Sequence, residues 1–505
     1  MTNKNGIFVL GHAHTLLITL FLGIALLALV PLILLLPEVD QPALTAPFVC
    51  LSIMFTFFLC VLLARNRLDG KVDWFHPSIL LMLVYLTYIM FSGVWLWLYH
   101  DYDSIWVDFG RQPAFIVNTV FSLGVVSIAS FGMGMSFRLT FPGKAIRELF
   151  YQNTQFDKKE MRSLILLFLV IGGAFKLYHL SLFGSQITDI FRYLSPSASR
   201  DLGISISQAI VMFESMLDWA VLLAVFYYIV RYKETGKTNG GWLILLLVLI
   251  ISTIDYVVSG KRSAIMPFLL LPLIWYHYLI KRLTMVSAGI YFLVAMLAII
   301  GLLMARIVLP LLEQNLAPMD YIGGNLSEMV AFYIDTGEWS SFDMVAASVV
   351  RHDELLEQAG GSILGFLKYS FRTMIIFVPR AIWSGKPDYE DLSHVYYRVL
   401  IGPEEGIGIA PTIWGASYLF FNLVGLAIGM YVLGWLFKSV YGMFQPNKGR
   451  PLDVFLYSIF YWMAFQFLRF GTMGFVTIIF VQSMFIGVLA LLFLGRRRYK
   501  MVAIT

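Results

Sequence analysis

The sequence predicts an all-α fold: a polytopic integral membrane helical bundle of about twelve transmembrane helices with one long, partly helical outer loop. Composition is the first reason. Hydrophobic residues fill 59% of the 505 positions, charged residues 13%, and mean hydropathy is +0.78, so the solvent for most of this chain is lipid. Apolar run length is the second, because a spanning helix needs about 20 consecutive apolar residues. The third is the uneven placement of Lys and Arg between alternate loops.

The qualifying runs fall, in order, at 14–36, 44–64, 77–99, 113–135, 164–182, 206–230, 241–259, 264–280, 285–309, 411–437, 453–468 and 473–495. The first is too long for a signal-peptide core and no cleavage pattern follows it, so it is expected to be retained. The chain then reads as nine helices over 1–309, an outer loop over 310–410, and three helices with a basic tail over 411–505, in a single structural domain. Cys50 and Cys60 share one predicted helix, about 15 Å apart along its axis, and cannot bridge each other.

With the N-terminus inside, 22 of the 36 lysines and arginines fall in inside segments, 12 fall outside, and Lys176 and Arg306 lie within spans. Cations are retained on the cytoplasmic side, so this count sets the orientation. VVSGKRSAIM at 257–266 goes against it, putting Lys261 and Arg262 in a tight outer turn. The plain explanation is a turn whose cations snorkel to the headgroups. The alternative is an anion held there, since a buried cation is costly without one.

The outer loop is too aromatic and apolar for disorder. Residues 340–361 read as a helix stopped by glycines. The stretch LGFLKYSFRTMIIFVPRAIWSGKP follows, with Lys368 and Arg372 about 40° apart on one face of a membrane-dipping helix that Pro379 should end before Arg380. Three outer cation clusters result: GKRS at 260–263, PRAIWSGKP at 379–387 and LRFGTMG at 468–474. A helix bundle could bring them to one rim. The rigid guanidinium fork matches phosphate oxygens, and several together would hold a pyrophosphate and stabilise its charge as it leaves.

SGKRS after a span, IFVPRAIWSGKP in the outer loop, PTIWGASYLFFNLVGLAIGM opening the next span and LRFG near the end together resemble the Wzy-type oligosaccharide repeat unit polymerases of the O-antigen polymerase family, over about residues 255–475. The resemblance implies a GT-C-like glycosyltransferase of the bacterial inner membrane, with both termini cytoplasmic and a periplasmic active site. It would move a growing glycan from an undecaprenyl pyrophosphate carrier onto another carrier-linked repeat unit. It also implies membrane lipid as surroundings, a chain-length regulator as the expected protein partner, no nucleic acid and no cofactor.

Arg262, Arg380 and Arg469 are then the expected catalytic cations, with Lys261, Lys368, Arg372, Lys386 and Trp383 binding substrate. Trp383 is singled out among Trp339, Tyr389, Tyr396, Tyr397 and Trp414 because it stands between Arg380 and Lys386; the others read as readily as an interface belt. The acceptor hydroxyl needs a general base, for which Asp335 and His394 are the candidates carried forward, beside Asp255, Asp343 and Asp391. Asp388, Glu390, Asp391 and His394 follow no recognised metal-ligand spacing, and no metal is expected.

Two other classes share parts of this pattern. A transporter or flippase of lipid-linked sugars would place its charges near the bilayer midplane and show repeated halves, whereas Lys176, Glu214, Asp218 and Arg306 are few and scattered. An O-antigen-ligase-like glycosyltransferase would share the donor and differ in its acceptor.

Overall fold

The computed structural model describes residues 67–68, 71–90, 113–137, 158–181, 213–237, 266–284, 286–291, 294, 341–375, 383, 392–402 and 411–471. Its elements are helical apart from a two-stranded antiparallel ladder, β1 (Arg67–Leu68) and β2 (Lys71–Val72), in which Arg67 faces Val72 and Leu68 faces Lys71. The α-helices are α1 (Pro77–Tyr85), α2 (Pro113–Ser136), α3 (Lys158–Ser181), α4 (Met216–Thr235), α5 (Met266–Trp275), α6 (Ser341–Val350), α7 (His352–Gln358), α8 (Ser362–Ile375), α9 (Leu392–Leu400), α10 (Thr412–Phe444) and α11 (Pro451–Phe470). α1 and α5 continue as π-helical turns at Leu86–Met90 and Tyr276–Ile280. Among the described residues, four helices are long and apolar enough to cross a membrane: Phe115–Ser136, Lys159–Tyr178, Thr412–Lys448 and Pro451–Phe470.

The chain divides into two compact units. The first comprises Met1–Gly143, Asn325–Gly442 and Met463–Ile479. At its centre α2 is buried nearly all round, and three of its hydroxyls bond back to their own helix: Thr119 to Phe115 O at 2.8 Å, Ser127 to Leu123 O at 2.7 Å and Ser136 to Gly132 O at 2.9 Å. Returning each hydroxyl proton to a carbonyl four residues back lets a polar side chain sit in an apolar interior at little cost. α2 meets α10 backbone to backbone. A Cβ on Gly134 would lie 2.0 Å from Tyr431 O, and one on Gly434 would lie 2.2 Å from Phe131 O. Small residues at such crossings allow the close packing that holds helices together when lipid removes the hydrophobic drive. Phe131 and Phe437 fill the flank edge to face, with centroids 5.6 Å apart.

α10 also carries Val424, Ile428, Val432 and Leu436, all exposed and four residues apart. That is one continuous apolar stripe along a helix, the surface that a hydrocarbon solvent favours. Asn422, at φ 54°, kinks the helix above it.

The 340–361 segment differs from its expectation. It is two helices, α6 and α7, broken at Arg351 (φ −107°, ψ 29°), and it ends at Gly360 and Gly361 with φ of 90° and 84°. α6 is buried from Ser341 to Ser348, whereas α7 exposes Asp353, Glu354 and Glu357, and the break separates the buried half from the charged one. α8 packs through Gly365 and Tyr369 on Phe420 of α10, and it leaves Ile363, Leu364 and Leu367 exposed.

The second unit comprises Lys144–Gly324, Met443–Trp462 and Phe480–Thr505. α3 and α4 cross where a Cβ on Gly172 would lie 2.3 Å from Leu217 N. Arg162 donates to Tyr227 Oη at 2.8 and 2.6 Å, and Lys176 forms an ion pair with Glu214, so these two span charges neutralise each other. Phe226 packs on Trp275 and Phe455, and Trp275 Nε1 donates to Ser458 Oγ at 2.8 Å. α4 ends on Gly236 in the left-handed conformation, whose N–H reaches Tyr232 O at 2.9 Å.

The glycine contact between α2 and α10 makes a prediction. Gly434→Leu should lower the thermal midpoint of the detergent-solubilised protein by an amount equivalent to at least about 1–3 kcal/mol, the usual cost of overpacking. Gly429→Leu, on the same helix where a Cβ meets nothing within 4 Å, should leave the midpoint near that of the parent protein.

Candidate functional site

Of the three arginines expected to share a site, Arg469 lies among the described residues. Arg262 and Arg380 lie outside them, as do Lys261, Lys386 and Asp335. Arg469 sits in the last turn of α11, where the helix's carbonyl dipoles favour a cation. Its guanidinium carbon stands 4.5 Å from the Phe470 ring centroid and 5.8 Å from that of Tyr88, in the π-helical turn after α1. Both are within cation–π range.

What fixes this turn is the residue beyond it. Gly471, at φ 72°, gives its N–H to Phe467 O at 2.9 Å and closes the helix. A Cβ on Gly471 would lie 1.9 Å from Thr412 O, so only glycine fits, both for its conformation and for its neighbour. Thr412 opens α10 fully buried and at φ 59°, a rare conformation for a β-branched residue and a sign of local backbone strain. LRFG and PTIWG therefore touch, main chain against main chain.

One turn into α10 the contacts continue. A Cβ on Gly415 would lie 2.8 Å from Ser348 Oγ of α6. Ser348 donates to Met344 O at 2.9 Å, so in its 2.6 Å contact with Tyr396 the phenol is the donor. Burial, partly offset by the Ser348 hydrogen bond, holds the Tyr396 phenol above the ordinary tyrosine range, and it stays protonated. The Trp414 ring lies 5.8 Å from that of Tyr85. Tyr396 and Trp414 are thus core residues, and of the aromatics named from sequence Trp383 is exposed.

Among the described residues of this unit, the buried side-chain polar atoms without a hydrogen-bond partner include those of Trp74, Ser122, Ser130, His352, Ser393, Trp414 and Gln466, and Gln466 is the one with two such atoms, an amide donor and an amide acceptor. Gln466 is fully buried and lies one turn before Arg469 on the same side of α11. An unsatisfied buried amide costs about 1–3 kcal/mol per group, so a site that retains one is suited to a polar ligand. Sequence reading passed over Gln466 and Tyr88. The signal for Gln466 was present, as an amide inside the apolar run 453–468; nothing in the sequence marks Tyr88.

The remaining candidates are spread over other elements. Lys368 is half-buried on α8, its Nζ 5.2 Å from the Tyr369 ring centroid, and Arg372 lies one turn later on the same helix. His394 is exposed on α9. Asp388, Glu390 and Asp391 lie outside the described residues, and among the described residues no group of three His, Cys, Asp or Glu side chains is placed to hold a metal ion.

The class these observations define is a helical protein with spans suited to a membrane. No protein-family model, no curated protein and no solved structure matches the chain.

Gln466 offers a test of this site. Gln466→Met keeps the volume and removes the unsatisfied amide, so it should raise the thermal midpoint by the equivalent of about 1 kcal/mol. A structural glutamine would lose stability instead.

Proposed function

We propose that this chain is a glycosyltransferase of the bacterial inner membrane that polymerises oligosaccharide repeat units carried on undecaprenyl pyrophosphate, acting at the periplasmic face within a GT-C-like bundle of about twelve spans. The observation that carries the reading is the Arg469 turn. A cation at the end of an apolar helix is held between two rings, and its backbone is locked by Gly471 against Thr412. A guanidinium so placed can take phosphate oxygens in bidentate fashion, and a pyrophosphate leaving group needs charge neutralisation more than a proton. In this reading Arg262 and Arg380 complete the anion site, with Lys261, Lys368, Arg372, Lys386 and Trp383 lining the approach. Asp335 or His394 serves as base, and a chain-length regulator is the protein partner.

Sidedness has support of its own. Segments joined by hydrogen bonds lie on one side of a membrane, and the segment 438–450, assigned to the cytoplasm, is joined to two others assigned there. In the first unit Tyr441 donates to Asp73. In the second, Lys233 donates to Gly449 O. In a Cys50- and Cys60-free background, a cysteine at exposed His394 should react with an impermeant thiol reagent in spheroplasts, and one at exposed Lys237 should not. The reverse pattern would remove the periplasmic site.

Reconstitution with lipid-linked repeat units tests the activity. A polymerase gives a ladder of glycan lengths; a single transfer to a different acceptor identifies a ligase, and movement without new bonds identifies a transporter. Arg469→Ala should cost about 10²- to 10³-fold in rate, by analogy with loss of an oxyanion-stabilising donor. Arg469→Lys should be nearly as harmful because it keeps the charge and loses the fork. Full activity in both variants at matched expression would leave Arg469 a packing residue.

A further inference from the structure

The second unit gathers three basic segments that are far apart in the chain. Residues 231–237 bring Arg231, Lys233 and Lys237; residues 281–284 bring Lys281 and Arg282; residues 445–453 bring Lys448 and Arg450. Glu234 and Asp453 are the acidic residues in these three segments, and Asp453 accepts from Arg450 Nε at 2.8 Å.

Two of the cations build the surface. Lys233 Nζ donates to Gly449 O at 2.6 Å, and Arg282 Nη2 donates to Asn447 O at 3.1 Å. The Arg282 guanidinium also stacks 4.8 Å over the Tyr278 ring. The turn they grip is tight: Gln445 and Gly449 take φ of 45° and 62°, and Gly449 N–H closes on Pro446 O at 2.9 Å. A Cβ on Gly449 would lie 3.1 Å from Tyr278 O, so the turn is seated on the end of the α5 segment. The other cations, Arg231, Lys237, Lys281, Lys448 and Arg450, are exposed around this clamp.

A fixed turn ringed by five exposed cations is an anion site, and its position says which anion. The ring stands at the C-terminal ends of α4 and of the α5 segment and at the first turn of α11, whose apolar bodies lead away from it. That is the level at which a lipid bilayer presents its headgroups. We propose that this clamp binds the phosphodiester headgroup of an anionic phospholipid of the cytoplasmic leaflet, with Lys237, Lys281 and Lys448 as the contacting cations. The site is independent of glycosyl transfer. It would fix the second unit in the bilayer through a bound lipid rather than through diffuse attraction.

The test uses the full chain in dodecyl maltoside and follows thermal unfolding by tryptophan fluorescence. Phosphatidylglycerol should raise the midpoint by about 3–5 °C at saturating lipid, an effect that 0.5 M salt roughly halves. Phosphatidylcholine and inorganic phosphate should each give less than about a quarter of that shift. Lys237→Gln/Lys281→Gln/Lys448→Gln replaces exposed side chains and leaves both clamping cations in place, and it should lose most of the phosphatidylglycerol response. Arg351→Gln/Arg398→Gln, which removes exposed cations of the other unit, should keep it. An equal response to phosphatidylcholine, an equal response to inorganic phosphate, or a full response in the triple variant would each overturn the proposal.

Discussion

The arrangement depends on one close approach. Gly471 lies against the Thr412 carbonyl with no room for a single methyl group, so the end of α11 and the start of α10 can pack main chain against main chain only because this residue is glycine. Everything at the candidate site follows from that contact. It sets where the last turn of α11 points, and with it the Arg469 guanidinium between Phe470 and Tyr88. It also buries Thr412 in a strained conformation, which places Trp414 and Gly415 in the interior beside Tyr85 and Ser348. Precision of this kind is what charge stabilisation requires, because a donor displaced by about 1 Å loses much of its effect.

An interior this apolar constrains every polar group within it. Thr119, Ser127 and Ser136 of α2 meet it by returning hydroxyl protons to their own helix's carbonyls, and Tyr396 and Ser348 meet it by bonding each other. Trp275 and Ser458 do the same in the second unit. Gln466 departs from this economy at both amide atoms, and Trp414, Ser122, Ser130 and Ser393 do so at one atom each. Beside a cation held by aromatic rings, a buried amide with both donor and acceptor unused matches the hydroxyl pattern of a sugar, each hydroxyl of which donates and accepts. Under the proposed function, these neighbouring groups would meet the two halves of a lipid-linked glycan, phosphate and carbohydrate.

The long apolar helices were legible in the sequence because hydropathy is a sum over many residues. The runs at 113–135, 164–182, 411–437 and 453–468 coincide with α2, α3, α10 and α11, and the shared face of Lys368 and Arg372 falls on α8. α3 begins six residues before its apolar run, since the charged residues 158–163 continue the helix beyond the greasy stretch. The breaks were not legible. Arg351 and Asn422 interrupt helices through local backbone geometry, which composition does not encode. Nor were the clamps on Gly449 and Asn447, since a main-chain carbonyl leaves no trace in sequence and its partners are over 160 positions away. Tyr396 and Trp414 read as interface aromatics because a ring buried in a core and a ring at a membrane surface have the same one-letter code. Arg469 was legible as a cation ending a span; its aromatic cradle was not.

The central claim is that the Arg469 turn receives the carrier's pyrophosphate. Its most direct test is a structure of the reconstituted protein with a polyprenyl pyrophosphate-linked glycan bound. The account requires a phosphate oxygen within about 2.7–3.0 Å of the Arg469 guanidinium, with Gly471 still seated on Thr412. A pyrophosphate bound elsewhere, with Arg469 still packed on Tyr88 and Phe470, would contradict it.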